Sequence, residues 1–173
     1  WQKVLPGVCR VVFSPENRYL IAGNDRKNMR AWRIVTGDSV SALEGILMGL
    51  LAFRPDGRQL VTVDRDNGRV VMRFWQWPER RFQLELKSRH TILQGKQEEL
   101  FFSPQGHMLA LLTDYHILFW DATIGVDLGY VTGFSGSLNR AACAFTPDGA
   151  RFIAGDAVGI VRIWDSGSGE LVA

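Results

Sequence analysis

The chain has 173 residues, a formal net charge of +2 and 46% hydrophobic residues, an ordinary composition for a folded domain that excludes a disordered or strongly polyionic protein. No stretch approaches the roughly 18 apolar residues of a membrane-spanning helix, and two cysteines, Cys9 and Cys143, are too few for a disulfide framework. With no Asn-x-Ser/Thr acceptor and no charged-then-apolar leader at its start, the chain is expected in a reducing, cytoplasmic setting with both thiols buried.

In chain order, VCRVVF (8–13) reads as a strand and runs into the phrase FSPEN (13–17). RYLIAG (18–23) and NMRAWR (28–33) follow, then a Thr36-Gly37 turn and a fourth strand from Ser39 to Leu43. The same grammar returns as MGLLAF (48–53) into FRPDG (53–57), RQLVTV (58–63) and RVVMRFW (69–75). A third round is EELFF (98–102) into FSPQG (102–106), HMLALL (107–112) and HILFW (116–120), with a turn from Thr123 to Gly125. The last is Ala141 to Phe145 into FTPDG (145–149), RFIAG (151–155) and IVRIW (160–164), with Glu170 to Ala173 opening a fourth strand. Each run is short, β-branched or aromatic, and bounded by turn chemistry; helical periodicity is absent. Proline presets the turn's second position, and Asp, Asn or Gly tolerates the tight return.

Trp32, Trp75, Trp120 and Trp164 stand 43, 45 and 44 residues apart, so one supersecondary unit is used four times. VVF, LLAF, LFF and LALL are apolar on consecutive residues. Strands of that kind are covered on both faces, as in a radial stack of four-stranded sheets.

These residues resemble the WD-repeat β-propeller family. Trp120-Asp121 and Trp164-Asp165 carry the dipeptide that names the repeat, and the likeness covers essentially the whole chain. It implies an all-β fold, a single propeller region over 1–173 with four blades at about 7–45, 46–94, 95–133 and 134–173, and 1–6 as the outer strand of a preceding blade. Phe13, Phe53, Phe102, Phe145 and the four tryptophans become structural residues. Asp114, six residues before Trp120, falls where the family's turn aspartate sits; Arg26 and Val158 hold the equivalent places, with Asp25 and Asp156 offset. The family's Gly-His pair is absent: the corresponding places are Gly7-Val8, Gly45-Ile46, Gly95-Lys96 and Gly136-Ser137. The full His–Ser/Thr–Asp–Trp network therefore cannot form, and packing must carry more of the stability. Rings of this family usually have more than four blades, so the chain reads as part of a larger ring, or as one completed by a second chain, with a four-bladed ring as the third reading.

The second unit is irregular. Its phrase-to-phrase distance is 49 residues against 40 and 43, and between Arg65 and Lys96 there are eight Lys/Arg against three Asp/Glu, with Trp75, Trp77 and Phe82 interleaved. That stretch suits nucleic acid or an acidic partner, or is a solvated strand face. Asp64-Arg65-Asp66-Asn67-Gly68 has neither the glycine nor the glutamate spacing of a calcium loop and reads as a long hairpin turn. His90, His107 and His116 lack metal-ligand company, and no nucleotide or nucleophile motif occurs. The expectation is a non-enzymatic scaffold without metal or cofactor, binding other proteins or fused domains through loops on one face, with nucleic acid as the alternative and no membrane. The residues carrying it are Asp25, Arg26, Lys27, Arg65, Asp66, Arg69, Arg80, Arg81, Tyr115, His116, Phe134 and Arg140, on the turns between second and third strands, the basic stretch and the connectors.

Overall fold

The computed structural model describes residues 2, 8–24, 29–40, 50–91, 98–132, 134 and 138–173, with backbone only for 8–10, 24 and 138–142. They form four antiparallel sheets whose strands neighbour one another in chain order. Sheet one is β1 (Val8–Phe13), β2 (Tyr19–Asn24), β3 (Met29–Arg33) and the short β4 (Ser39–Val40). Sheet two is β5 (Leu51–Phe53), β6 (Gln59–Asp66), β7 (Arg69–Gln76) and β8 (Arg81–Thr91). Sheet three is β9 (Glu99–Phe102), β10 (Met108–Leu112), β11 (Ile117–Asp121) and β12 (Val126–Val131). Sheet four is β13 (Leu138–Phe145), β14 (Arg151–Asp156) and β15 (Val161–Asp165), with Leu171 bridging Trp164. Among the described residues no helix is long and apolar enough to cross a membrane.

Chain contacts divide these elements into two compact units. The first holds sheet one, β5, β6 as far as Asp64, β7 from Met72 and β8 as far as Glu85; the second holds Arg65–Val71 and everything from Leu86 onward.

The consecutive apolar runs explain the central strands. All five residues of β10 are buried, and so are four of the five in β11, whereas outer β12 alternates between exposed and half-buried. In the first unit, Ile21, Met29 and Ala31 of sheet one close on Leu51, Phe53, Leu60 and Trp77 of sheet two. Trp77 is the keystone: Tyr19 and Phe53 meet its ring edge-on at 5.3 and 5.4 Å. Truncating a side chain placed like this costs about 3–5 kcal/mol. In the second unit Phe152 plays that part, with Phe101, Phe119 and Phe145 at 6.1, 5.5 and 4.8 Å.

Two expectations need correction. Phe13 is 57% exposed and not a core residue. Strand alternation turns Val12 into the core and leaves Phe13 with Val11 on the outer face of sheet one, where no described sheet precedes it. Asp64–Gly68 is not a long turn: β6 and β7 run on to Asp66 and from Arg69, joined by Asn67-Gly68 alone. Both residues have positive φ (49° and 78°), as a two-residue mirror-image turn requires, so the extra length of this unit is strand. The sequence segments 1–6, 45–46 and 95–97 lie wholly or partly outside the described residues, as do Asp25, Arg26 and Lys27.

Candidate functional site

In an antiparallel meander the first and third turns lie at one end of a sheet and the second turn at the other. The two ends differ chemically. At the first end the repeated phrase is a self-closing cassette. The second residue's N–H donates to the carbonyl five residues on (Ser14 to Tyr19, Arg54 to Gln59, Ser103 to Met108, Thr146 to Arg151) at 2.9–3.0 Å. The fifth residue's N–H returns to the second's carbonyl at 2.8–2.9 Å. That fifth residue is Asn17, Gly57, Gly106 or Gly149, at φ 56°, 70°, 74° and 70°, which is why the phrase ends in Asn or Gly. The hydroxyls of Ser14, Ser103 and Thr146 accept the N–H of Tyr19, Met108 and Arg151, each at 3.0 Å. The fourth residue works in two ways. Asp56 and Asp148 fold back onto their own turns, accepting N–H bonds from Arg58 and Ala150, whereas Glu16 reaches Gly57 and Gln105 reaches Gly149 in the neighbouring turn of the same unit. Gln105 also donates to the Pro147 carbonyl at 2.9 Å.

The third turn explains the Trp-Asp pair. Asp121 accepts the N–H of Thr123 and Ile124 at 2.8 and 3.1 Å; Asp165 accepts those of Gly167 and Ser168 at 3.0 and 2.9 Å. Bonds from the Ser168 backbone and hydroxyl, then from Gly167, hold the Asp165 carboxyl below the usual range. The tryptophans themselves find less. The Trp75 indole N–H donates to the Thr62 hydroxyl at 3.0 Å. Eight residues after the cassette's second position, the equivalents of Thr62 are Ala22, Leu111 and Ala154, which offer no acceptor. The buried indole nitrogen of Trp120 accordingly has no hydrogen-bond partner among the described residues, and that of Trp77, which stands outside this series, has none either.

At the other end the sheet-three and sheet-four turns are closed from below by buried groups. Thr113 closes the sheet-three turn by accepting the N–H of His116 on its hydroxyl at 3.1 Å and donating its own N–H to the His116 carbonyl at 2.9 Å. In sheet four the turn is closed by Asp156, whose side chain is 0% exposed. Its carboxylate accepts the N–H of Val158 and Ile160 at 3.1 and 3.0 Å and the Arg162 guanidinium at 2.9 Å. Tyr115 and Val158, at the tips, are each 58% exposed. Arg69 is exposed beside the Asn67-Gly68 turn.

Beside the sheet-three turn, in the second unit, lies an open cleft of about 510 Å³. His90, Leu128, Tyr130 and Ser168 are among its lining residues. Tyr130 is flanked by His90 at 4.7 Å and His116 at 5.6 Å, both edge-on. Burial pushes the His116 imidazole below its ordinary value.

Several cations of the basic stretch are paired. Arg65 pairs with Glu98, Lys87 with Asp66 at 3.1 Å, and Arg73 with Asp64 and Glu85 at 3.2 and 2.9 Å. Arg69 lies at the start of β7, while Arg80 and Arg81 lie past its end, in the turn and the start of β8. Phe134 packs on Trp164 at 5.6 Å with the Arg162 guanidinium over its ring at 5.5 Å. Arg140 is placed in β13 by its backbone alone. Among the described residues no three His, Cys, Asp or Glu are grouped as a metal site. Sequence reasoning flagged Asp156 only as an offset turn aspartate, and missed Thr113, Tyr130 and the keystone role of Trp77. Trp77 left a signal: it stands two residues after the repeat tryptophan, as Ile34, Ala122 and Ser166 do, and like them donates its N–H to the start of the second strand, to Arg58 at 2.9 Å.

No protein-family profile and no curated protein sequence matches the chain. Among solved structures it is similar to hydrazine synthase of Kuenenia stuttgartiensis, at 17% identity and a TM-score of 0.73, over 100% of this chain and 50% of that one. It is similar also to the WD40 repeats of RRP9, at 12% identity and a TM-score of 0.72, over 99% of this chain and 52% of that one. The chain thus spans about half the length of these structures. At these identities the likeness shows the fold, which is an all-β propeller fold with four sheets as blades.

Proposed function

We infer that the chain is a section of a WD-repeat propeller that acts as a non-catalytic, cytoplasmic scaffold, holding partner proteins on the end of the blades where second and third strands are joined. One observation carries this reading. At the end where second and third strands are joined, buried Thr113 and Asp156 hold the sheet-three and sheet-four turns and leave Tyr115 and Val158 exposed at the tips, and Arg69 is exposed beside the sheet-two turn. Exposed tyrosine and arginine on a stiff frame are the residue types that dominate binding energy at protein interfaces. Further blades, from the rest of a longer chain or from a second one, would cover the apolar residues left open on the outer sheets: Val11 and Phe13 on sheet one, and Ile160, Val161, Leu171 and Val172 on sheet four.

The test is affinity capture from cell extract with Tyr115→Ser and Arg69→Glu set against Val35→Ser and Ile124→Ser, whose side chains are exposed at the opposite end. Loss of the same bound proteins in the first pair and retention in the second is the expected result. Equal retention in both pairs overturns the assignment of the face.

A further inference from the structure

β8 is the outermost strand of sheet two, so among the described residues one of its edges carries no neighbouring strand. Exposed edges invite pairing with another chain, and folded proteins blunt them with short strands, bulges or charges. One other outer strand is blunted in this way. β12 is broken by a register shift, with Gly129 at φ 99° and its N–H held by Asp127 at 2.8 Å. β8 runs for 11 residues, and every residue from Arg81 to Glu85 is exposed.

The side chains of that segment are turned into a prepared surface rather than a guard. Glu85 is bound at 2.9 Å by Arg73, and Gln83 accepts from Gln59 at 2.8 Å, so both are fixed on one face of their own sheet. On the other face Phe82 and Leu84 are 52% and 41% exposed, and Phe82 is braced edge-on by Trp75 at 5.6 Å. The sequence Arg81-Phe82-Gln83-Leu84-Glu85 is complementary to itself when reversed. In an antiparallel pair centred on Gln83, Arg81 faces Glu85 of the other strand and Phe82 faces Leu84, each pair occurring twice by symmetry. Opposite charges and aromatic–aliphatic pairs directly across an antiparallel pair are both stabilising, and a two-fold axis requires such a self-complementary patch.

We propose that the Arg81–Glu85 segment is a homodimerisation site, at which β8 of a second copy of this chain adds antiparallel to β8 of the first. Both sheets then continue into one, and the apolar pair on one face and the charge pairs on the other fix the register. An acidic, apolar peptide from another protein would meet only half of this pattern.

The experiment is sedimentation velocity on the full chain over a concentration series, with three variants checked for native circular dichroism. Wild type is expected to show a concentration-dependent dimer. Arg81→Glu sets two like-charge pairs across the axis, and so does Glu85→Arg; each is expected to weaken the dimer about tenfold or more. Mixed together, those two variants restore both opposite-charge pairs and re-form the dimer as a heterodimer, and the double variant R81E/E85R re-forms it alone. Association through any other apolar face would not follow this pattern. A monomeric wild type, a dimer indifferent to both single changes, or a mixture that stays monomeric overturns the proposal.

Discussion

Removing the Asp156 carboxylate should be among the most damaging single polar changes in the second unit. The group is fully enclosed and accepts from the N–H of Val158, the N–H of Ile160 and the guanidinium of Arg162, whose own side chain is 19% exposed. Asp156→Ala leaves a mostly buried cation without its anion, a change that costs about 3–5 kcal/mol. The two freed N–H groups belong to exposed residues and turn to water, so they add little beyond that range. The loss is therefore mainly the stranded charge, which makes a second prediction compulsory. Arg162→Met in the Asp156→Ala background removes the cation while keeping a side chain against the Phe134 ring, and should recover at least ~1 kcal/mol. Urea unfolding gives both numbers, with hydrogen exchange of the β14 and β15 amides placing the effect. An Asp156→Ala protein within about 1 kcal/mol of wild type, or a double variant less stable than the single one, refutes the reasoning.

Three further outcomes are expected. Gly149→Ala forces a side chain into a left-handed conformation at a cost of about 1–2 kcal/mol and drives its Cβ into Gln105; adding Gln105→Ala should relieve the collision and not the strain, as read by urea midpoints. The His116 imidazole should titrate below 6.5 by NMR, because burial favours its neutral form, and should move back up in Tyr130→Ala. Its folded value being depressed, stability should fall as pH drops from the ordinary imidazole range toward that lower midpoint, and a flat profile there contradicts it. Burial, helped by the charge of Glu99, pushes the Cys143 thiol up to about 11, so in a Cys9→Ser background it should resist disulfide reagents at pH 8 until the protein unfolds.

Much of the fold was legible because it is written in local chemistry. The cassette needs a left-handed fifth residue, and Asn17, Gly57, Gly106 and Gly149 announce it; a strand buried on both faces needs unbroken apolar residues, and β10 displays them. The site was far less legible. Arg65 and Lys87 look like free cations until Glu98, just before β9, and Asp66 of β6 are seen to neutralise them. Phe134, in a Gly/Ser-rich connector, looks like bait for a partner, and only the third strand of its own blade shows that Trp164 and Arg162 hold it. Asp156 was displaced by two residues from its expected place because the carboxylate, not the sequence position, defines the turn, and the backbone around Val158 to Ile160 adjusts to it.

The lonely indoles have a practical meaning for light. A tryptophan sealed among hydrocarbon, with no hydrogen-bond partner, has no mobile dipoles around it to reorient toward its excited state, so its emission stays at short wavelength. Trp77 in one compact unit and Trp120 in the other are both sealed in this manner, while Trp75 leans on a hydroxyl. Replacing either one with phenylalanine should silence the bluest glow of a single half, so the protein carries a built-in dye for watching each half melt.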